Sequence, residues 1–329
     1  MAWYIVRRVL GIILVLLITS AVTYAIFYLI PSDPARLSCG KPCTPDTLRT
    51  VRANMGLDRS IVVQWLEFLR GVVVGRTYGS GATAIHCSAP CLGYSFFQDH
   101  SVSSLIADRF PVTFSIAIGA AVLWLIFGIT SGTISAIKRG TAIDRAAMVA
   151  ALAGVSAPAY LVGLIGIYVF GFELNIVPVN GYANFVDGPV QWAWHLVLPW
   201  CTLAFLSAAL YARLTRGQML DVLGEDYITT ARAKGLPERT VVIRHGMRAA
   251  LTPIVTIFGL DLGSLLGGAV ISEQVFSMQG IGRLVIDAVH QYDLPVIVGT
   301  TLFAAFLIIC ANLVVDVVYA FLDPRVTLE

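Results

Sequence analysis

The chain has 329 residues, 57% of them hydrophobic and 13% charged, and its mean hydropathy is +0.80. A soluble domain carries roughly a quarter charged residues, so this composition excludes a water-soluble globule and makes lipid the bulk solvent. The net charge of +2 offers nothing to a nucleic acid, and no such partner is expected.

Uncharged apolar runs of ~18 residues or more mark spanning helices. Residues 9–30, 111–137, 146–172 and 295–315 contain no Asp, Glu, Lys or Arg. Residues 196–212 form a shorter run with Trp192, Trp194 and Trp200 as its interfacial aromatics, and residues 250–272 are interrupted only by Asp261. The reading is an all-α, polytopic membrane protein with six transmembrane helices. Residues 1–30 form the first helix, 31–110 an external segment between the first two helices, and 111–329 a five-helix core with a basic loop at 213–249. Arg7-Arg8 before an apolar stretch resembles a secretory signal. The run of 22 residues is too long for one, and Ile30-Pro31-Ser32-Asp33 is no cleavage site, so the helix is expected to be retained.

Basic residues set the orientation. Arg7 and Arg8 precede the first helix; Lys138, Arg139 and Arg145 fill the loop between the second and third. Arg213, Arg216, Arg232, Lys234, Arg239, Arg244 and Arg248 fill the loop between the fourth and fifth, and Arg325 follows the last helix. The third–fourth loop has no Lys or Arg and the fifth–sixth loop only Arg283. Short basic loops stay inside, so both termini are expected in the cytoplasm, with the chain in the plasma membrane.

In the external segment, Asp46 is a candidate N-cap for a helix over 47–74, followed by an irregular Gly- and Ser-rich loop over 75–93. Cys39-x3-Cys43 and Cys87-x3-Cys91 lie here. An oxidising compartment favours disulfides, with three possible pairings among four cysteines. The same donors with His86 and His100 are also a zinc-type set; disulfides are the expected use, with no metal. Cys201 and Cys310 fall in spans and read as small apolar fillers.

In the core, Pro158 is expected to kink the third helix. Gly259-x3-Gly263-x3-Gly267 puts three glycines on one face for close helix packing, with a gating hinge as the alternative. Asp261 lies about ten residues into its run, ~15 Å along a helix. It is a candidate pathway residue, able to meet a substrate's positive amino terminus, or else a structural hydrogen-bonding group. Glu173, Glu273 and Asp316 lie near span ends and read as interfacial.

The most specific stretch lies in the basic loop. Glu225 and Asp226 open a short helix, Lys234 is basic at its end, Gly235 suits a left-handed C′ position, and Pro237 forbids continuation. From chemistry alone it is either a docking surface or an ordinary surface helix. Its sequence, Asp226-Tyr227-Ile228-x-Thr230-Ala231-Arg232-Ala233-Lys234-Gly235-Leu236, is followed by His245-x2-Arg248-x-Ala250-Leu251-x-Pro253. Together they closely resemble the signature of binding-protein-dependent ABC importer permeases. Within them the chain looks like the B-type subunit of the oligopeptide/dipeptide (and nickel) group. Tyr4-x-Val6-Arg7-Arg8, Met55-Gly56-Leu57-Asp58, Gly263, Gly267, Gly268, Gly280-x-Gly282-Arg283-Leu284 and Asp323-Pro324-Arg325 extend the likeness over nearly the whole chain.

The resemblance implies a type I ABC importer transmembrane domain that moves oligopeptides or dipeptides. Residues 229–235 would form the coupling helix held by an ATPase subunit. Glu225, Asp226, Tyr227, Thr230, Ala231, Arg232, Ala233, Lys234 and Gly235 are the coupling candidates. The implied partners are a second homologous permease, one or two ABC ATPase subunits, an external substrate-binding protein, the peptide and the lipid bilayer. The distance from Gly235 to Pro253 fits the peptide subgroup, while residues 77–93 look like an insertion. The chain's three lysines, Lys41, Lys138 and Lys234, precede Pro42, Arg139 and Gly235, so no Walker A motif is possible. No nucleophile–base pair or HExxH occurs, and the chain is expected to be non-catalytic and free of cofactors, with ATP and Mg bound by partner subunits. The alternatives are a nickel importer subunit of the same family and an ion-driven secondary transporter using Asp261. The latter predicts inverted repeats, which the sequence does not show.

Overall fold

A computed structural model describes residues 2–29, 35, 43–55, 57–79 and 84–322; Cys39, the Asp316 side chain and Asp323-Pro324-Arg325 lie outside what it describes. In chain order the elements begin with α1 (Ala2–Leu29), α2 (Pro45–Met55) and α3 (Ile61–Val74). Short strands follow, β1 (Arg76–Tyr78), β2 (Ile85–Cys87), β3 (Tyr94–Ser95) and β4 (His100–Ser101). Then come α4 (Val102–Ile137), α5 (Ala142–Ser156), α6 (Ala159–Gly166) with a π-helical turn Ile167–Glu173, α7 (Pro189–Leu223) and α8 (Asp226–Ala233). A helical turn Glu238–Thr240 and a π-helical stretch Val241–Gly246 lead into α9 (Met247–Leu266). After it come α10 (Val270–Val275), α11 (Ile281–Gln291) and α12 (Leu294–Leu322).

Among the described residues, four helical stretches, Val102–Ile137, Pro189–Leu223, Glu238–Leu266 and Leu294–Val315, are long and apolar enough to cross a bilayer. Counted as one broken span, the bent pair α5–α6 with its π-turn would bring the number to five. α1 occupies the remaining expected segment, with Leu10–Ile26 as its apolar stretch. The helices overrun the uncharged runs: α4 starts nine residues before Pro111, and α7 spans 35 residues. Counting only uncharged stretches misses helical turns that emerge from lipid.

By internal contacts the chain divides into two units, residues 1–111 with 280–307, and residues 112–279 with 308–329. In the first, α3 packs on α1 through Tyr24 and Phe68, whose ring centroids lie 5.5 Å apart, and Trp65 Nε1 donates to Ser20 Oγ at 2.9 Å. The single helix expected over 47–74 is instead α2 and α3, interrupted around Leu57–Ser60, where Asp58 and Ser60 favour turns over helix interiors. Asp46 sits in the first turn of α2 rather than at its cap.

The loop expected to be irregular over 75–93 holds an antiparallel pair instead, and a second pair follows it directly. β1 pairs with β2, Thr77 opposite His86, and β3 with β4, Tyr94 opposite Ser101. Strands of two or three residues are too short to show a period-2 pattern. Cys87 and Cys91 form a disulfide beneath Tyr78 and Tyr94; both sulfurs are thereby removed as metal ligands. Cys43 is also disulfide-bonded. Ser95 Oγ donates to the buried carboxylate of Asp293, whose titration burial pushes upward.

In the second unit the third apolar run differs most from expectation. Pro158 does not kink a continuous helix; it separates α5 from α6, and the two differ in direction by 102°. Ala157 is extended (ψ 128°), as a residue before proline prefers, and Pro158 is extended too (ψ 130°). Two successive residues outside the helical region break a helix, where a lost hydrogen bond alone would bend it.

Small residues set the close crossings. A Cβ added at Gly263 on α9 would stand 2.9 Å from Ile308 Cα on α12, and Gly259 lies against Val315. The packing reading of the glycine motif therefore holds for these two, while Gly267 caps α9. A second pair was not singled out from the sequence: Gly128 and Gly132 on α4 face Tyr211 and Thr215 on α7, with Cβ approaches of 2.6 and 2.7 Å. Glu273, read as interfacial, is fully buried on α10; its Oε1 accepts from Thr113 Oγ1 at 2.8 Å and from the Ala269 amide at 3.2 Å. The sequence shows its distance from a span end but not that Thr113 faces it.

Replacing Gly263 with Leu inserts side-chain atoms where Ile308 and Ala311 already stand. We expect ~1–3 kcal/mol of destabilisation, the usual cost of overpacking, read as a lower thermal midpoint of the purified protein in detergent. Gly217, whose added Cβ meets nothing within 4 Å, provides the control: Gly217→Ala should leave the midpoint nearly unchanged.

Candidate functional site

The site is built on the end of α7. That helix ends at Gly224, and Glu225 takes extended backbone angles (φ −71°, ψ 149°), so its carbonyl receives the amides of Ile228 and Thr229 at 3.1 and 3.2 Å. α8 then runs for eight residues with Asp226 in its first turn and Arg232 in its last, each sign suited to the helix dipole. At the far end the Gly235 amide reaches the Arg232 carbonyl at 2.9 Å and the Leu236 amide the Ala231 carbonyl at 3.4 Å. Gly235 has φ +77°, a left-handed turn that costs glycine nothing sterically. Pro237, extended, starts the next helical turn. The short capped helix expected over this stretch is present with its left-handed glycine.

Its two faces differ. Ile228 and Ala231, one turn apart, are buried with Val241 against Leu223. Glu225, Asp226, Tyr227, Thr230, Arg232, Ala233, Lys234 and Gly235 are exposed, Tyr227 at 46%. Eight of the nine coupling candidates thus lie on the open side. Ala231 does not; it anchors the helix instead of presenting itself. The open face carries an aromatic ring, with acids at one end and bases at the other.

Glu238 was not among the residues singled out from the sequence. Arg232 Nε and Nη2 donate to its two carboxylate oxygens at 3.1 and 2.8 Å, tying the last turn of α8 to the turn after Pro237. Both side chains are exposed, 41% and 57%, so solvent screening leaves the pair little weight in stability. Its effect is on geometry: it holds the guanidinium of the last turn toward the following segment.

A second group absent from the sequence reading fixes α7 itself. Asp144, 4% exposed in the first turn of α5, accepts Arg216 Nε at 2.7 Å on Oδ1 and Nη2 at 2.9 Å on Oδ2. Its oxygens also accept from Ser135 Oγ (2.5 Å) and the Gly140 amide (2.9 Å). The helices α4, α5 and α7 therefore meet at one carboxylate, about three turns of α7 before α8 begins. Thr141-x2-Asp144 has the spacing of an N-terminal capping motif, and Thr141 is the N-cap, which was the available signal. The pairing with Arg216, 72 residues away, had none.

Asp261 lies five residues before the end of α9, nearer that end than the sequence run suggested. Tyr211 Oη donates to its Oδ2 at 2.8 Å, and the two residues line a cleft of about 460 Å³ with Trp124, Ser207 and Ser264. No group of three or more His, Cys, Asp or Glu side chains able to hold a metal occurs among the described residues.

The family models decide what kind of protein carries this site. Residues 128–328 match the binding-protein-dependent transport system inner membrane component, and residues 1–117 the N-terminal region of such a membrane component. The chain belongs to that family. It is an ABC importer permease subunit, an inner membrane component of a binding-protein-dependent system. Putative peptide transport system permease proteins of Brucella abortus (strain 2308) and Brucella suis biovar 1 (strain 1330) are each 38% identical to it over 322 residues, 98% of this chain and 98% of theirs. The glutathione transport system permease protein GsiC of Escherichia coli (strain K12) is 38% identical over 323 residues, again with 98% of both chains covered.

Because the Asp144 carboxylate is matched to a two-pronged guanidinium, Arg216→Lys keeps the charge but loses the fork. We expect the permease carrying Arg216→Lys or Asp144→Asn to melt well below the unmodified one. Arg232→Ala, which breaks only the exposed pair, should shift the midpoint little; equal shifts would contradict the difference in burial.

Proposed function

We propose that this permease carries short peptides inward across the plasma membrane and that α8 is the part through which ATP hydrolysis drives it. The names of the Brucella and Escherichia coli relatives support the substrate class: they are described as peptide and glutathione system permeases, and glutathione is itself a tripeptide. The subunit makes and breaks no bond. One or two ABC ATPase subunits bind ATP and Mg, a second homologous permease completes the passage, and an external binding protein delivers the peptide.

The observation that carries the coupling assignment is the split of α8 into an anchored face and an open face. Ile228 and Ala231 fix it to the base of α7 and to Val241, so a push on Tyr227, Thr230 or Lys234 is passed to α7 and, through the π-helical stretch, to α9. A loop without those anchors would yield locally and transmit nothing. Both termini lie in the cytoplasm on this reading, with α8 on the same side. The basic residues of the short loops support that orientation, and so does the Cys87–Cys91 disulfide, which suits the oxidising side for residues 84–101.

Gly235→Val tests the coupling. A β-branched residue in the left-handed region costs roughly 1–2 kcal/mol, enough to shift the turn out of place in most molecules. We expect membrane insertion to be normal and binding-protein-dependent peptide uptake to fall about tenfold or more, with Gly235→Ala intermediate. Undiminished uptake by Gly235→Val would contradict the role of this turn.

A further inference from the structure

Burying an ionisable side chain among membrane helices is costly unless it is paired or faces a hydrated passage. Asp261 is half-buried on the wall of the 460 Å³ cleft and has one donor, the Tyr211 hydroxyl on Oδ2. A carboxylate has about four acceptor positions, and Oδ1 receives no hydrogen bond from any described residue. Ser264, three residues on along α9, and Ser207, one turn before Tyr211 on α7, line the same cleft. Trp124 stands at its edge but is only 2% exposed, so its indole N–H is not open to a ligand. The rest of the wall is apolar or glycine.

We propose that this cleft is a recognition point for a primary ammonium group, the charged end of a free peptide amino terminus. This deepens the peptide-import reading and rests on it for the substrate. Asp261 Oδ1 supplies the acceptor for the ammonium, and Tyr211 holds the carboxylate in place from the other oxygen. Tyr211 is fully buried and packs on Trp124 with ring centroids 6.1 Å apart, which fixes the hydroxyl that holds the carboxylate. A lone hard metal ion is a poorer fit, because the cleft brings together one carboxylate and neutral hydroxyls, without the several charged oxygen or nitrogen ligands that divalent ions take. Asp261 differs in this from Glu273, which is fully buried and bonded to Thr113 and Ala269.

The experiment uses the complete reconstituted importer with Cys201→Ala and Cys310→Ala, which remove the two free thiols among the described residues, and Ser264→Cys as reporter. Modification of the new thiol is timed with a cationic methanethiosulfonate (ethylammonium) and an anionic one (ethylsulfonate). Relative to the same reporter carrying Asp261→Asn, we expect Asp261 to favour the cationic reagent about tenfold. Alanyl-alanine should protect the thiol, and N-acetyl-alanyl-alanine should not. Equal rates with Asp261 and Asn, equal protection by both dipeptides, or protection by nickel ion in place of the free dipeptide would each overturn the assignment. Tyr211→Phe should weaken the protection while leaving the charge preference. Peptide uptake is measured in the same vesicles. A preparation that moves no peptide but shows the charge preference and the selective protection keeps the site and overturns the transport reading instead.

Discussion

Eight residues of helix are too few to persist in water, where isolated helices shorter than ~12 residues are marginal. What holds α8 in place is the burial of Ile228 and Ala231 beside Val241 and Leu223, and everything assigned to its outer face depends on that contact. Two apolar side chains one turn apart fix a direction as well as a position. The helix can neither roll nor slide without exposing one of them. The turn at Gly235 takes up the last backbone hydrogen bonds of the helix, and its outer side chains remain exposed.

The mount beneath α8 is polar where α8's own anchor is apolar. Asp144 gathers Ser135, Gly140 and Arg216, so the ends of α4, α5 and α7 are joined by directed bonds that tolerate little shear. Farther along, the helices of this unit are held by shape. Gly128 and Gly132 admit α7 close to α4, and Gly259 and Gly263 admit α12 close to α9. Between helices in lipid there is no gain from hiding apolar surface, since the solvent is equally apolar, and close backbone contact takes over as the cohesive term. α8 thus stands near a polar joint, with closely packed helices beyond it.

Much of this was legible from composition and local chemistry. The spans follow from uncharged length, and α8 from its acids, its Gly235 and its Pro237, because each of those signals is local. The family likeness was legible for the same reason, being carried by contiguous residues. What was not legible depends on distant residues. Arg216 stood among the basic residues of a loop and nothing near it named Asp144. Gly128 and Gly132 were one spacing among many glycines until Tyr211 and Thr215 faced them. Pro158 announced a disturbance, but its size, a 102° break, is set by Ala157 and Pro158 both leaving the helical region. The paired strands around Cys87 were too short for their pattern to rise above a turn-rich sequence.

Glu273 and Asp261 both lie among or beside the membrane helices, and their surroundings give them opposite characters. Glu273 is fully enclosed, with Thr113 and the Ala269 amide on one oxygen. It is bonded to the start of its own helix α10 and to α4, and its removal would leave those donors facing each other in a sealed space. Asp261 is open on one side and held on the other by Tyr211. A purely structural carboxylate at that position would gain by turning inward or by being an amide, since an unpaired charge facing lipid is expensive. Asp261 stands on the wall of the cleft that Ser207 and Ser264 also line, where a group from outside the fold can reach it; Glu273 has no such opening.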